Sequence, residues 1–518
     1  MPNSCATNRL NPKYRNLLLL HLRELVQYRT VNSMTTMSPR FCKIYNDERE
    51  ACADFLESQL SPLGFHVSRF TTPTSMAHDE EYMGRWHTSC KKTEIDPSAE
   101  FPHLYATTDP NGRNKKRIIF VEHYDVVKAT NGDRWKTNPF KLEQEGTRLY
   151  GRGASDMKGG IAAHLVALKM YKEIIGKFPS NIAIDIIINS LEEVMSPFGI
   201  QDHLTHLINS GRFAPDSKIY LVETEATQSQ IANARRMAGV YSLPLANFNP
   251  LAGLERETQI FRFTSNGGHA GQFNIKEGLE NHSLFLAVEN FFNNYTNIGY
   301  YPIWLNATPC AENAIPSVIQ LGLTRKKSDT NIMLLAAMRF MYELTANTNW
   351  QEPAWNSRGT TLSSFFNGKE GEAFLRTFFR SFVDEEKAKR YLDEAVDRTN
   401  TYMQRKFPGW QNWGHGQFDI CFHAFHTPEA SRLLKTASEI LAELTKEEHK
   451  IFSPFGNGDI QIARKLLTDA GHQVQSMVFG PTGSNEHRAN EYVLFDSLVL
   501  SALFYYQLMR RFVGNKPA

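Results

Sequence analysis

Short apolar runs alternate with amphipathic segments along residues 10–225 of the chain. Residues Ile182–Ile188 are almost entirely apolar and rich in β-branched side chains, as expected for a parallel strand that is buried on both faces. Apolar positions in Tyr14–Tyr28 and Glu48–Leu60 recur at helical spacing. This alternation predicts an α/β fold with a doubly wound, mostly parallel sheet. The remaining elements predicted in this part are the strands His66–Phe70, His103–Ala106, Ile118–Val121 and Lys218–Val222 and the helix Gly159–Ile175.

From about Val240 the pattern changes to strands and helices without regular alternation. We therefore predict an inserted α+β domain over residues 240–426, which interrupts a first domain made of residues 1–239 and 427–518. The predicted elements of the insertion are the strands Gln259–Thr264, Val318–Leu323 and Met333–Tyr342 and the helices Gly278–Phe292, Glu370–Phe382 and Glu385–Met403. The elements predicted after it are the helix Ala430–Leu444, the strand Gln473–Phe479 and a terminal helix from Val493.

The composition is that of an ordinary globular protein, with 41% hydrophobic and 22% charged residues. A chain of 518 residues is long enough for two or more domains. The net charge of +2 gives no indication of a nucleic-acid or membrane partner. Six cysteines without a C-x-x-C pair favour a reducing compartment over a disulfide framework. Because we find no signal segment and no apolar run approaching about 18 residues, we expect a cytoplasmic protein.

Imidazole and carboxylate side chains follow the predicted strands where these strands end. His123 and Asp125 come after one strand on the same face, and Asp156 lies in a Gly-rich turn before a helix. Since ligands of open α/β sheets collect at the carboxyl ends of the strands, we expect these side chains to converge. Imidazole and carboxylate ligands without thiolates suit two zinc ions, with Co²⁺ or Mn²⁺ as substitutes. One ion would take His123 and Glu225, the other Glu193 and His487, and both would share Asp156.

The adjacent pair Glu192-Glu193 directly follows a buried strand, unlike the other Glu-Glu pairs of the chain, which we interpret as solvated surface. Neighbouring side chains at a strand end diverge, so that one carboxylate can bind metal while the other faces a metal-bound water. The pKa of such a water is lowered towards about 7, and a general base can then take its proton. We predict that Glu192 is this base and that Asp125 orients the imidazole of His123.

Further motifs occur in a familiar order: HYDVV (123–127), GRGASDMKGG (151–160), ETEAT (223–227), NGGHAG (266–271), NAIP (313–316) and GPTGSNEHRANE (480–491). Over most of its length the chain therefore resembles the co-catalytic zinc aminoacylase/carboxypeptidase family, which includes acetylornithine deacetylase and succinyl-diaminopimelate desuccinylase. The resemblance implies the same five ligands, the same base and a cis peptide between Asp156 and Met157. It also implies that the inserted domain is a lid through which the protein forms a homodimer. His269 of this lid would reach the partner subunit's site and stabilise the oxyanion.

The chain departs from the family pattern at positions close to the predicted site. Leu191 stands where an aspartate usually precedes the Glu pair, and the usual E-P-T is E-A-T here. Glu122 replaces a small residue, and we expect it to point to the other side of the sheet with a structural role. Glu223 lies two residues from Glu225 on the same face of an extended segment and is therefore an alternative metal ligand. The position of Thr227 favours Glu225.

Substrate recognition is expected to come from the lid. The resemblance places Arg235, Arg236, Asn313 and Arg339 where relatives hold a substrate carboxylate, although Arg235 is also interpretable as a surface ion pair. We therefore predict substrate binding by Arg236, Asn313 and Arg339. The predicted activity is zinc-dependent hydrolysis of the amide bond of a small N-acyl amino acid or related carboxylate. The alternatives are a dipeptidase or carboxypeptidase of the same family and a binding protein that has lost catalysis.

Overall fold

The computed structural model describes residues 10–31, 39–72, 101–129, 135–193, 198–235, 237–246, 259–264, 268–269, 288, 291–295, 300–306, 314–315, 318–327, 330–346, 361–367, 372–381, 385–449, 451 and 458–513. In the first part the predicted helices and strands are present, although the second helix begins at Pro39 and not at Glu48, and two short strands, Glu143–Glu145 and Arg148–Tyr150, were not predicted. These elements are α1 (Pro12–Gln27), α2 (Pro39–Leu60), β1 (His66–Thr71), β2 (Pro102–Thr107), β3 (Lys116–His123), β4 (Glu143–Glu145), β5 (Arg148–Tyr150), α3 (Lys158–Ile175), β6 (Ala183–Asn189), α4 (His203–Asn209), β7 (Lys218–Glu223) and β8 (Ala234–Arg235).

The middle part forms sheets of its own. Three antiparallel strands make one sheet, four make another, and a two-residue pair makes a third. The elements are β9 (Met237–Ala246), β10 (Gln259–Thr264), β11 (Gly268–His269), β12 (Tyr301–Asn306), β13 (Ala314–Ile315), β14 (Val318–Thr324), α5 (Ile332–Ala346), β15 (Thr361–Asn367), β16 (Glu372–Ser381), α6 (Glu385–Lys406), β17 (Gln417–Phe422) and β18 (Phe425–His426).

The last part of the chain returns to the sheet formed by the first part. The terminal helix begins at Phe495, two residues later than predicted, because residues 492–494 pair with β5 as a short strand. The elements are α7 (Arg432–Thr445), α8 (Asp459–Asp469), β19 (Gln473–Val478), β20 (Gly483–Ser484), β21 (Tyr492–Leu494) and α9 (Phe495–Val513).

A six-stranded sheet in the order β1-β2-β6-β3-β7-β19 forms the centre of the fold. β6, β3, β7 and β19 are parallel, whereas β2 is antiparallel to both β6 and β1. The register aligns His123 with Asn189 and aligns Val121 and Val478 with Glu223. The carboxyl ends of the four parallel strands therefore meet at one edge, and the chain leaving each strand starts from that edge. The predicted mostly parallel α/β sheet is confirmed.

Helices cover both faces of this sheet, as a doubly wound fold requires. Alternate residues of β3 belong to different apolar clusters, with Ile118 and Phe120 in one and Ile119 and Val121 in the other. The first cluster is completed by α1, α2, α3, α7 and α9, and the second by α4 and α8. Among the described helices, none combines the length and the apolar character needed to cross a membrane.

Two predictions for the middle part were wrong in the type of element. Met333–Tyr342 was predicted as a strand but belongs to helix α5. Its apolar residues are Met, Leu, Ala, Phe and Tyr, none of them β-branched, which suits a buried helix equally well. Glu370–Phe382 was predicted as a helix, but its described residues form β16, paired with β15 on one side and β9 on the other. Pairing with distant strands decides its conformation there.

Near both predicted domain boundaries the chain passes between the first part and the middle part, and these two passages are adjacent. β9 begins at Met237 and crosses the predicted boundary at residue 240, while β18 lies just before the second boundary at residue 426. β18 pairs antiparallel with β8, so that the outgoing and returning chains run side by side. A separate apolar cluster over residues 241–403 packs α5 and α6 against the sheets of the middle part. The predicted helix Gly278–Phe292 lies outside the described residues except at positions 288, 291 and 292.

Candidate metal centre

His123 is buried at the end of β3, and its ring is held through Nδ1. This atom lies 3.4 Å from Oδ1 and 3.2 Å from the carbonyl oxygen of Asp125. The preceding side chain, Glu122, contacts other groups: its Oε1 lies 2.7 Å from Nδ1 of His164 and accepts a 3.2 Å hydrogen bond from Thr224. Glu122 therefore has the structural role that we predicted. Nδ1 of His123 thus faces Asp125, and Nε2 faces the carboxylates of Asp156 and Glu225.

Asp156 lies in the loop between β5 and α3, with one histidine near each carboxylate oxygen. Its Oδ1 is 3.2 Å from Nε2 of His123, and its Oδ2 is 3.3 Å from Nε2 of His487. The peptide bond between Asp156 and Met157 is cis, as the family resemblance implied. A carboxylate whose two oxygens face two different imidazoles has the geometry of a bridging ligand.

Two groups of potential ligand atoms meet at Asp156. On one side, Oε2 of Glu225 lies 3.4 Å from Nε2 of His123. On the other side, Oε2 of Glu193 lies 2.8 Å from Nε2 of His487. Within each group of three residues the ligand atoms all lie within 4.8 Å of one another. The structure thus brings together the five side chains that we selected from the sequence, in the predicted pairing.

Glu223, the alternative ligand, has different partners. Its Oε2 pairs with the guanidinium of Arg235, which is buried with it. Its Oε1 accepts a 3.0 Å hydrogen bond from the backbone N–H of Ile460 at the start of α8. Because β7 ends at Glu223, the two acidic residues need not share a face. The cluster therefore contains Glu225 and not Glu223, and Arg235 is part of a buried rather than a surface ion pair.

Glu192 lies beside the cluster without belonging to either group of ligands. Its Oε2 is 3.9 Å from Nε2 of His123, and its side chain is 22% exposed. The backbone N–H groups of Glu192 and Glu193 donate to Oδ1 and Oδ2 of Asp125 at 3.2 and 3.0 Å. Burial and the charge of Asp459 raise the pKa of Glu192 well above its ordinary value, against the opposing effect of His123. The carboxylate of Glu192 thus lies close to the cluster but outside both groups of potential ligand atoms.

The cluster concentrates negative charge in a buried position. Burial and the neighbouring carboxylate of Asp156 raise the pKa of Glu225 to about 8 and also raise that of Glu193. Burial would raise the pKa of Asp156 too, but the neighbouring imidazoles of His123 and His487 hold it well below its ordinary value. Burial would lower the pKa values of both histidines, yet the surrounding carboxylates raise them well above the ordinary range.

These residues fit a pair of divalent cations. The donor set of three carboxylates and two imidazoles, without thiolates, is one that zinc accepts. Nε2 of His123 is buried and has no well-directed hydrogen-bond partner among the residues that the structure describes. Positive charge at this position would also offset the repulsion that raises the carboxylate pKa values.

Sequence reasoning missed the role of Glu491, which closes the motif that contains His487. Its carboxylate is buried and fixes the loop that carries Asp156. Hydrogen bonds reach it from Arg152 Nη1 at 2.6 Å and from the backbone N–H groups of Gly153 at 2.9 Å, Ser155 at 2.9 Å and Asp156 at 3.1 Å. The glutamate was visible in the motif, but no local pattern indicated that its partners lie more than 330 residues earlier.

For three of the residues predicted to act on the substrate, the structure does not describe the side chain. Arg236 and Asn313 lie outside the described residues. His269 is in β11, where its backbone pairs with Ala314 of β13. Their roles therefore stay predictions.

Arg339, the remaining substrate-binding candidate, lies in α5 within the apolar cluster of the middle part. Its guanidinium pairs with Glu343, which also accepts a 3.0 Å hydrogen bond from Arg398. The centroids of three aromatic rings lie within 5.3 Å of its Cζ atom: Phe292, Tyr342 and Tyr402. These contacts place the Arg339 guanidinium among aromatic side chains of the middle part, and its contact with a substrate stays a prediction.

The sequence profile of Peptidase family M20/M25/M40 matches residues 119–511. This match spans the five clustered side chains and Glu192 and covers well over half of the chain. The chain belongs to this family. The resemblance drawn from the motifs is thereby confirmed.

Among curated relatives, a succinyl-diaminopimelate desuccinylase of Verminephrobacter eiseniae is 32% identical over 191 residues, which are 36% of this chain and 43% of the relative. The corresponding enzyme of Rickettsia africae is 36% identical over 126 residues, 23% of this chain and 32% of the relative. A cysteinylglycine-S-conjugate dipeptidase of Corynebacterium striatum is 26% identical over 196 residues, 38% of this chain and 34% of the relative. The chain thus matches less than half the length of each of these relatives.

Solved structures share the fold over nearly the whole chain. The dipeptidase Dug1p of Saccharomyces cerevisiae has a TM-score of 0.57 at 14% identity, with both chains covered completely. Human carnosine dipeptidase 1 has a TM-score of 0.54 at 14% identity, covering 96% of this chain and 98% of the other. The metallo-carboxypeptidase Sso-CP2 of Sulfolobus solfataricus has a TM-score of 0.54 at 15% identity, covering 96% and 99%. At these identities the likeness establishes a common architecture.

Proposed function

We propose that this chain is a hydrolase that binds two divalent metal ions, zinc in the first instance, and cleaves the amide bond of a small carboxylate-bearing substrate. The observation that supports it most strongly is the pair of ligand groups that share Asp156. One ion would be held by His123 and Glu225 and the other by Glu193 and His487. When bound, such ions would polarise the scissile carbonyl and lower the pKa of an attacking water.

The chain's own residues supply the proton transfer and the orientation. Glu192 lies next to the ligands, is not one of them and is the proposed general base. It accepts a proton from the attacking water and delivers it to the leaving nitrogen, so that one carboxylate serves both half-steps. Asp125 orients His123 and, through its other contacts, holds the backbone of Glu192 and Glu193.

Support for the proposed substrate class comes from the relatives. The desuccinylases, which are 32% and 36% identical over the matched regions, favour an N-acyl amino acid or a related N-acyl carboxylate. The similarity to a cysteinylglycine-S-conjugate dipeptidase supports a second candidate, the hydrolysis of a dipeptide. In both cases we propose that Arg236, Asn313 and Arg339 contact the substrate carboxylate and that His269 stabilises the oxyanion. We also retain the proposal that the middle part of the chain forms a homodimer.

The test combines a substrate panel with metal analysis. The purified protein would be incubated with N-acetyl and N-succinyl amino acids and with dipeptides, and the products would be identified by mass spectrometry. We expect cleavage within one of these classes, its loss with a chelator and its recovery when zinc is added. Stoichiometric metal without cleavage of any amide would instead support a binding protein that has lost catalysis.

Two variants separate the base from the ligands. Glu192→Gln should lower kcat by about 10²–10⁴-fold, which is the usual contribution of a general base, while the bound metal stays at the wild-type level. Glu193→Gln is the matched control and should lose metal as well as activity. Loss of metal from Glu192→Gln, or turnover close to that of the wild type, would contradict the assignment of Glu192.

A further inference from the structure

The Glu192-Glu193 pair lies in a turn whose backbone N–H groups are bound by side chains. Oδ1 of Asn189 accepts hydrogen bonds from the backbone N–H groups of Ser190 at 2.8 Å and Leu191 at 3.2 Å. The next two N–H groups, those of the glutamates themselves, donate to the carboxylate of Asp125. Two buried side chains from the ends of β3 and β6 therefore bind four consecutive peptide groups, and the N–H of Ser190 also donates to Nδ1 of His103 at 3.2 Å.

Asn189 is fixed in one orientation by its own partners. Its Nδ2 donates a 2.6 Å hydrogen bond to Oδ2 of Asp459, and its side chain is fully buried. Because an amide has one donor end and one acceptor end, this bond forces Oδ1 towards the turn. Gly199 closes the remaining space, since a Cβ atom there would lie 2.0 Å from Oδ1 of Asn189. The amide can neither turn over nor move aside without losing these bonds.

Asp459 is in turn positioned by the end of β7. It is the first residue of α8, and the following N–H group, that of Ile460, donates to Glu223. The helix start packs closely on that carboxylate, because a Cβ atom at Gly458 would lie 2.3 Å from Oε1 of Glu223. Glu223 is itself paired with Arg235. The start of α8 is thus bound to Glu223 at the end of β7. Through Asp459 it also binds Asn189 at the end of β6.

We propose that Asn189 and Asp459 are positioning residues for Glu192: the Asp459–Asn189 hydrogen bond fixes the turn that places the general base beside the metal ligands. This inference rests on the proposed function. Neither residue is among the described ligand groups, and neither would touch the reacting atoms. A displacement of the base by about 1 Å is enough to lower a rate by about 10²-fold. Metal binding should change less, because Asp125 holds the N–H of Glu193 independently.

The test uses the full chain loaded with zinc. Asn189→Leu removes both ends of the amide at nearly constant volume, and we expect kcat to fall by about 10²-fold with little change in KM. Asp459→Ala removes the acceptor for Asn189 and should lower kcat in the same way. Asp459→Asn keeps an oxygen that can accept the bond from Nδ2, and it should restore kcat to within about threefold of the wild type. The bound zinc should stay at the wild-type level in all three variants.

Asn400→Leu is the matched control. Asn400 is also a buried asparagine whose amide donates once, to the carbonyl of Trp413, and whose Oδ1 accepts twice, from Trp410 Nε1 and the N–H of Trp413. Its replacement should lower the unfolding midpoint without changing kcat. Equal kcat in the wild type and Asp459→Ala, or a loss of activity in Asn189→Leu that follows the loss of zinc, would overturn the proposal.

A second measurement separates this proposal from the proposed function. Hydrogen exchange at residue resolution should show that the amides of Ser190 and Leu191 exchange faster in Asp459→Ala than in the wild type and in Asn400→Leu. If the wild type cleaves no substrate but this difference is found, the hydrogen-bonded turn stands and the proposed function fails. If the wild type is active and exchange at both amides is unchanged, the function stands and the positioning role is refuted.

Discussion

Replacement of Glu491 tests whether one buried carboxylate maintains the loop that carries Asp156. Glu491 and its partner Arg152 each have a side chain only 1% exposed. In addition to this ion pair at 2.6 Å, the carboxylate accepts the backbone N–H groups of Gly153, Ser155 and Asp156. Glu491→Gln keeps the shape of the side chain but removes its charge and turns one acceptor into a donor. The guanidinium of Arg152 then lacks its buried counter-ion.

The expected loss of stability is about 3 kcal/mol. A hydrogen bond to a charged group contributes about 1.5–3 kcal/mol, and removal of one member of a buried ion pair costs about 3–5 kcal/mol. Glutamine retains part of the network, so we take the lower end of the second range. This is a large fraction of the about 5–15 kcal/mol that stabilises a typical domain. Because the same loop positions Asp156, we also expect about 10–100-fold weaker zinc binding.

Both effects can be measured separately. Urea unfolding of the metal-free proteins gives the change in stability, and a competition titration with a chromophoric chelator gives the zinc affinity. Glu447→Gln, the same chemical change at an exposed position, is the control and should alter neither quantity. A midpoint for Glu491→Gln equal to that of the wild type would refute the role of this carboxylate in neutralising Arg152. Lower stability with unchanged zinc affinity would refute its role in placing Asp156.

Three further predictions follow from the structure. In equilibrium dialysis Glu225→Gln should lose zinc and Glu223→Gln should keep it, and in urea Glu223→Gln should unfold at a lower concentration than the wild type. The opposite pattern would make Glu223 the metal ligand and Glu225 the structural residue. Zinc at 1,000 times its dissociation constant should stabilise the protein by about 4 kcal/mol, and no rise in melting temperature should be seen for Asp156→Asn. Burial lowers the pKa of His21 to about 4, so the neutral ring is favoured on folding. The contribution of the neutral ring to the unfolding free energy is complete above about pH 6.5 and is lost as the pH falls towards 4. Between pH 7 and pH 5 the unfolding free energy of His21→Phe should therefore fall by about 2 kcal/mol less than that of the wild type. Equal losses in the two proteins would contradict this.

The central sheet and the cluster were predictable because both depend on local patterns. β6 is a continuous run of buried residues, and its pattern alone indicates a strand with both faces covered. The residues after β3, β6 and β7 meet because parallel strands end at the same edge, so the fold class itself brings His123, Glu193 and Glu225 together. For these three residues, knowing where the parallel strands end is nearly sufficient to predict that they lie close together.

The elements of the middle part were harder to predict because their conformation depends on distant partners. β16 lies between β15 and β9, and the register pairs Phe379 with both Leu362 and Gly239. A segment that begins with Glu and Ala and continues with Leu, Arg and Phe satisfies a helical pattern as well as a strand pattern. In α5 the reverse applied, since an apolar run that is buried on nearly every side has lost the periodicity that identifies a helix.

Polar residues that act through hydrogen bonds could be seen in the sequence, but their partners could not. Glu491 closes a recognised motif and Asn189 lies just before the Glu192-Glu193 pair, yet the side chains and N–H groups bound to them include some from other strands and loops. Donor and acceptor complementarity has no period and no fixed spacing along the chain. It becomes visible only when the backbone is folded and buried polar atoms can be matched one by one.

The hydrogen bonds around the cluster explain how like charges are held together in a buried site. Asp125 and Glu491 are each bound by backbone N–H groups, so they fix the acidic turn and the Asp156 loop without help from the ligands themselves. The carboxylates proposed as ligands differ, because burial and the neighbouring charge of Asp156 raise the pKa values of Glu225 and Glu193. A fixed frame therefore holds ligands that are electrostatically unfavourable without a cation. Metal binding to such carboxylates would release protons from them. The hydrogen bonds of Asp125 and Glu491, rather than the metal, would then determine the positions of the ligands.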